Sequence, residues 1–299
     1  MKELRSRLIH LSRCRGMSRR TLRRAIHFDS TLDCFYKQPS TSINQQLFPK
    51  KKSYQLFQMD FKNKELINEI KRDSDCYQIM TIVDDGYPSL LKQVKDPPLV
   101  LYLHGNASLL NNQPSLSVVG SRTPTDHARE KMAYILSPLI KSNFTIVSGM
   151  ARGIDSFAHE LSLALDGHTI AVLGSGFNHI YPRENRSLFN HLSSKGLLIS
   201  EYPPNTPPRK YQFPERNRII SGLSFGTLVI EAKERSGTMI TVDQALDQGR
   251  DVFAVPGCPL LKETHGCNKI IQDGGKLVFK ADDIAEEWNY LSETSNHFA

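Results

Sequence analysis

The stretch that decides the fold is "FTIVSGMARGID", Phe144 to Asp155. A short apolar, β-branched run without polar alternation ends at Gly149, Arg152 and Gly153. It is followed by Ile154, Phe157, Ala158, Leu161, Ala164 and Leu165 on one 3.6-residue stripe. A strand covered on both faces reads as a continuous apolar run, whereas a helix lying on a sheet shows one apolar stripe. The spacing therefore predicts strand, glycine turn, helix. The same grammar recurs from about Tyr77 onward in "LSVVGS" (116–121), "TIAVLGSG" (169–176), "LLISEY" (197–202), "FGTLVIEA" (225–232) and "DVFAVPG" (251–257). Strands alternating with helices in this way make a doubly wound α/β domain.

In such a sheet, ligands sit beyond the carboxyl ends of the strands, so the loops that follow the strands carry the functional information. Four of them bear glycine: Gly120 with Ser121 and Arg122; Gly149 with Arg152, Gly153 and Asp155; Gly174 with Gly176; and Gly237 between Ser236 and Thr238. Small residues let backbone N–H groups approach a phosphate, and each following helix N-terminus adds a favourable dipole. The competing reading is that these glycines only make tight turns. Nucleotide fingerprints are absent. "GSGFNH" places His179 where G-x-G-x-x-G needs its third glycine, and no G-x-x-x-x-G-K-[ST] occurs. Cys258, His265 and Cys267 lack zinc-ligand spacing. The residues suit holding phosphates rather than cleaving them, with neither cofactor nor metal expected.

The segment "KYQFPERNRIISGLS", Lys210 to Ser224, adds a second kind of chemistry. It follows Pro203, Pro204, Pro207 and Pro208, and with Pro214 these predict an extended, helix-free backbone. Arg209, Lys210, Arg216 and Arg218 alternate with Tyr211 and Phe213. Cations for phosphates and ring faces for stacking are what unpaired bases require. The plainer alternative packs Phe213 in the core and ties the arginines to carboxylates such as Glu231, with Arg218 the first candidate for a structural role.

With 39% hydrophobic and 23% charged residues the 299-residue chain reads as an ordinary globular protein. It has no apolar run of membrane-spanning length and no secretory leader, so a cytoplasmic protein without membrane insertion is expected. Five scattered cysteines suit free thiols in a reducing compartment. The net charge of +7 is local: residues 1–30 hold nine Lys/Arg against Glu3 and Asp29, and the rest of the chain balances to zero. Such an arm is either a solvated face or a sequence-independent attractor for phosphate, and the same composition also fits an organellar transit peptide. "LRSRLIHLSRCRGMSRRTLRRAIHF" predicts two short basic helices around Gly16, the second capped by Ser18. The expected organisation is a small basic helical domain over 1–65, the α/β domain over 66–290 and a tail over 291–299.

The blocks "SVVGSRTPT", "IVSGMARGID", "VLGSGFNHIYPREN", "SEYPPNTPPRKYQFPERNRIISGLS", "VIEAKERSGTMIT" and "VFAVPG", in this order, resemble the DNA processing protein A (DprA, also called Smf) family across roughly residues 77–280. The resemblance implies an extended Rossmann-like, mostly parallel sheet with a small N-terminal helical module like a sterile-alpha-motif or helix-hairpin-helix unit. It also implies a homodimer that binds and protects incoming single-stranded DNA and loads the recombinase RecA onto it during natural transformation, with single-strand-binding protein as a further partner. It places DNA contacts on Ser121, Arg122, Gly149, Arg152, Lys210, Phe213, Arg216 and Asn217. Some members add a C-terminal winged-helix domain, for which this chain stops too early, and Cys267 departs from the small hydroxyl residue expected in a turn. Two alternatives stay open at this level. One is RNA binding, which uses the same chemistry. The other is a nucleotide phosphoribohydrolase of the lysine decarboxylase-like fold, whose P-G-G-x-G-T-x-x-E carboxylate is replaced here by Thr241.

Overall fold

The computed structural model describes residues 2–37, 47–48 and 50–297. By backbone contacts the chain divides into two compact units, Met1–Tyr87 with Pro98–Tyr102, and Pro88–Pro97 with Leu103–Ala299. The 65/66 boundary expected from sequence falls inside a helix of the first unit.

The first unit carries α1 (Lys2–Arg13), α2 (Arg19–Phe28), α3 (Lys51–Phe61), α4 (Lys64–Cys76) and β1 (Gln78–Thr81). The two basic helices around Gly16 form as expected, and the Ser18 side chain accepts the Thr21 N–H at 3.1 Å, capping α2. Gly16 has φ +81, and a methyl there would lie 2.0 Å from the Ser53 carbonyl oxygen, so only glycine fits this turn. The cations of α1 are largely consumed inside the unit. Arg5 pairs with Asp84, Arg7 with Glu3 and Asp33, and Arg13 with Glu69 and Asp73; beyond the helix, Arg15 grips both oxygens of Asp60.

The second unit adds α5 (Ser89–Lys92), with β2 (Val100–Gly105) divided by residue between the units. The α/β layers follow: β3 (Ser115–Val119), α6 (Ala128–Lys141), β4 (Thr145–Ser148), α7 (Ile154–Ala164), β5 (Thr169–Leu173), α8 (Arg186–Lys195) and β6 (Leu197–Ser200). The chain continues through α9 (Gln212–Gly222), β7 (Gly226–Val229), α10 (Gly237–Asp247), β8 (Asp251–Ala254), α11 (His265–Gln272), β9 (Lys276–Leu277) and α12 (Asp282–His297). Seven strands lie in the order β6-β5-β4-β3-β7-β8-β9, with parallel pairing at each step. All six strands read from the sequence are present in this mostly parallel, Rossmann-like sheet.

Alternation along β3 shows how the faces differ. Leu116 and Val118 enter the main core with Met132, Ile135 and Leu136 of α6, Ala158 of α7 and Leu228 of β7. Ser117, on the opposite face, shares a 2.7 Å hydroxyl bond with Thr227 among the buried aliphatic side chains of Val147, Ile170, Leu197 and Val252, which the register places on that same face.

Two expectations are corrected. The backbone is not helix-free through Pro214: α9 begins at Gln212, and Pro214 sits in its first turn. There the N–H that proline lacks would have no intrahelical partner, and the ring meets no preceding helical carbonyl, so the residue is tolerated. Cys267 lies within α11 rather than in a turn, fully buried, with its thiol directed at the Val229 carbonyl.

Candidate nucleic-acid interface

The strand order reverses beside β3. Strands β4, β5 and β6 are added on one side and β7, β8 and β9 on the other, so the crevice beyond the carboxyl ends of β3 and β7 is a topological switch point. A cavity of about 590 Å³ opens there, walled by the loop after β3, the first turns of α9 and the loop that leads from β7 into α10.

Six of the eight residues singled out in the sequence line this cavity: Ser121, Arg122, Lys210, Phe213, Arg216 and Asn217. They are not equivalent. Arg122 and Lys210 are exposed cations at the mouth, joined by exposed Lys233. Ser121 is a fixed part of the wall: its N–H donates to the Glu231 carbonyl at 2.7 Å, and its hydroxyl accepts the Thr123 N–H at 3.1 Å. Phe213 is half-buried. Its ring backs onto Gly174, where a methyl would lie 2.9 Å away, and leans on exposed Tyr181 with ring centroids 5.3 Å apart. One portion of the ring is thus anchored and Tyr181 extends the aromatic surface.

Arg216 is 4% exposed and forms the floor of the cavity. Its Nη1 donates to the Val172 carbonyl at 2.7 Å. Burial lowers its pKa to about 10, with the nearby Asp155 carboxylate opposing that shift and Arg122 adding to it. Asp155 is itself buried, which pushes its carboxyl up from the ordinary value. Arg216 and the N–H groups of Ala151 and Gly149 act in the opposite direction. Behind them, burial and the Arg216 charge hold His159 down at about 3. The cavity therefore has a cationic mouth and a floor whose charges largely compensate each other.

The other two residues lie elsewhere. Gly149 does not line the cavity but makes room for Arg216: a methyl on it would stand 1.7 Å from Nη1. Arg152 is not part of the lining and pairs with exposed Glu184. Arg218, buried, pairs with Glu201 and donates to the Asp96 carbonyl, which is the structural role foreseen for it; Glu231 is not its partner.

Of the glycines in these loops, Gly237 is the one with open space around it, no atom lying within 4 Å of an added methyl. It begins α10 at the cavity, after Ser236, whose side chain makes no capping bond, and before Thr238, whose hydroxyl donates to the Gly120 carbonyl at 3.0 Å. The first N–H groups of a helix have no intrahelical partners and carry partial positive charge, so this wall complements an anion. Lys233, Tyr181 and Asp155 were not assigned to the site by sequence, although each lies within a quoted block. Their relevance depends on proximity to Phe213 and Arg216, which residue order does not announce. Among the described residues no cluster of His, Cys, Asp or Glu is arranged to hold a metal ion, and no helix is long and apolar enough to cross a membrane.

A doubly wound, mostly parallel sheet with exposed cations, an aromatic face and a helix N-terminus at its switch point defines a Rossmann-like α/β protein. The chain belongs to the DNA recombination-mediator protein A family, whose model matches residues 78–289. It is 46% identical over 201 residues to the DNA processing protein DprA of Bacillus subtilis, covering 67% of this chain and 68% of that protein. Against Protein Smf of Synechocystis it is 44% identical over 210 residues, covering 69% of this chain and spanning about half of the relative, 53%. Among solved structures, the DNA processing protein A of Streptococcus pneumoniae matches with TM-score 0.83 at 32% identity, over 93% of this chain and 96% of that one. The Helicobacter pylori protein, solved for its single-stranded DNA binding mode, matches with TM-score 0.64 at 28% identity, over 72% and 97%.

Proposed function

We propose that this protein binds single-stranded DNA through the switch-point cavity and acts as a recombination mediator. In that role it protects the strand and passes it to a RecA recombinase during natural transformation, working as a homodimer alongside single-strand-binding protein. The observation that carries the reading is the grouping of Arg122, Lys210 and Lys233 with the half-buried ring of Phe213 around one opening. Phosphates require the cations, and an unpaired base requires the ring. Family membership and the strand-binding mode of the Helicobacter pylori relative support it. Of the eight contact residues, Gly149 and Arg152 are proposed in altered roles, the first making space for Arg216 and the second outside the cavity. The hydrolase alternative lacks a suitable base: Thr241 lines the cavity as a buried hydroxyl, and Asp155 is held by backbone N–H groups and Arg216.

The test is titration of labelled single-stranded DNA, duplex DNA and RNA at two salt concentrations, with wild type and Phe213→Ala. A stacked aromatic contributes roughly 1–3 kcal/mol per base and no ionic component, so Phe213→Ala should weaken single-strand binding about five- to 150-fold at an unchanged salt slope. Duplex should bind poorly. Intact affinity together with a large fall in melting temperature would reduce Phe213 to a packing residue and remove the stacking argument.

A further inference from the structure

Behind the cavity lies a carboxylate that does not touch its lumen. Glu231 is fully buried immediately beyond β7, and it holds the loop after β3 at both ends. Its backbone carbonyl accepts the Ser121 N–H at 2.7 Å. Its side chain accepts the Thr125 N–H on Oε2 at 2.8 Å and the Thr125 hydroxyl on Oε1 at 2.7 Å. Arg122, exposed at the cavity mouth, lies between these two anchors. A fully buried carboxylate needs a compensating cation, and Lys131 of α6 supplies it, closing an ion pair with Oε1 while its own side chain keeps 28% exposure. Lys131 does not line the cavity.

We infer that Lys131 and Glu231 are positioning residues: their ion pair clamps the 121–125 loop and so fixes where Arg122 meets the phosphate. This rests on the strand-binding reading of the cavity. Two donors from Thr125 and one from Lys131 saturate a side chain that has no access to water, so the loop has one arrangement that satisfies the carboxylate. Without Lys131 the buried charge must find water, and the segment that would move aside is the 122–125 loop, exposed at Arg122 and Thr123 and half-buried at Pro124 and Thr125. The entropy of fixing Arg122 would then be charged to binding.

The experiment is a double-mutant cycle on the full chain with a labelled oligothymidylate, reading affinity, salt slope and melting temperature for Lys131→Met, Arg122→Ala, the double variant and Lys131→Arg. Wild-type binding and its loss in Arg122→Ala test the cavity reading by themselves. For the clamp, Lys131→Met should weaken binding by no more than Arg122→Ala does and flatten the salt slope by up to about 0.7. The double variant should bind within about twofold of Arg122→Ala alone, and Lys131→Arg should restore the wild-type slope. Fully additive losses, or unchanged affinity and slope in a folded Lys131→Met protein, would overturn the inference. Should Lys131→Met not fold, Thr125→Val removes one donor to Glu231 without stranding a charge, and its effect must likewise vanish in the Arg122→Ala background.

Discussion

Arg122, Lys210 and Arg216 look alike in the sequence and differ in the molecule. Lys210 is exposed at the cavity mouth, whereas Arg216 is buried near Asp155 and bonded to the Val172 carbonyl. Opposite outcomes are expected. Lys210→Ala should leave the melting temperature unchanged and flatten the plot of log K against log salt by about 0.7, the share of one phosphate on a single strand. Arg216→Met removes the bond to the Val172 carbonyl and the buried cation near Asp155, and should lower stability in a urea titration. A stable Arg216→Met protein with a flattened slope would instead make Arg216 a direct phosphate ligand. The difference was illegible in "KYQFPERNR" because burial of Arg216 depends on Gly149, where the chain leaves a side chain out, and on Asp155, both far away in sequence.

At the scale of elements, the parallel strands were legible because burial on both faces leaves a continuous apolar signature, as in "TIAVL" of β5. Helix α9 was misread because five prolines cluster around its start, and the meaning of a proline changes within one turn, from breaker in a helix interior to neutral in its first residues. Helix α7 carries a polar residue whose role is also tertiary. His159 is fully buried, with Nδ1 2.6 Å from the Thr169 hydroxyl, which in turn donates to the Ile146 carbonyl. The hydroxyl is thus free to accept, so Nδ1 carries the proton and the ring is neutral. With a folded pKa near 3 against 6.5 unfolded, the unfolded chain takes up a proton first on acidification. Stability contributed by this residue is intact above pH 6.5 and falls by about 1.4 kcal/mol per unit between there and pH 3. His159→Asn, which keeps a donor near the Nδ1 position, should lose that much of the slope in denaturant titrations between pH 6.5 and 4.5; an identical slope would show that His159 titrates normally.

At the scale of the whole molecule, the charge excess of residues 1–30 is less available than composition suggests. Arg5, Arg7, Arg13 and Arg15 are committed to carboxylates of the first unit, while Arg20 of α2 and Lys50, Lys51 and Lys52 at the start of α3 are exposed. Arg24, whose guanidinium donates to the Leu47 carbonyl, ties α2 to the chain just before those lysines. If this face attracts a strand, Arg20→Ala with Lys51→Ala should weaken binding mainly at low salt, flattening the slope by about 0.7 for each phosphate no longer neutralised. Arg13→Met, which removes the buried cation paired with Glu69 and Asp73, should lower stability and leave the slope unchanged. Equal slopes in both variants and the wild type would confine strand attraction to the second unit. The position of β3 at the centre of the parallel sheet has a consequence for the timing of synthesis. Of the seven strands in this parallel array, β3 is synthesised first and then β4, β5 and β6 on one side, so Arg122 and its loop emerge long before Gly237 and the opposite wall. Between the synthesis of Arg122 and that of Gly237, a nascent chain has half a cavity. The opposite wall is complete only when α10 arrives, so if the cavity holds a strand as proposed, an unfinished chain lacks one of the two sides that would grip it.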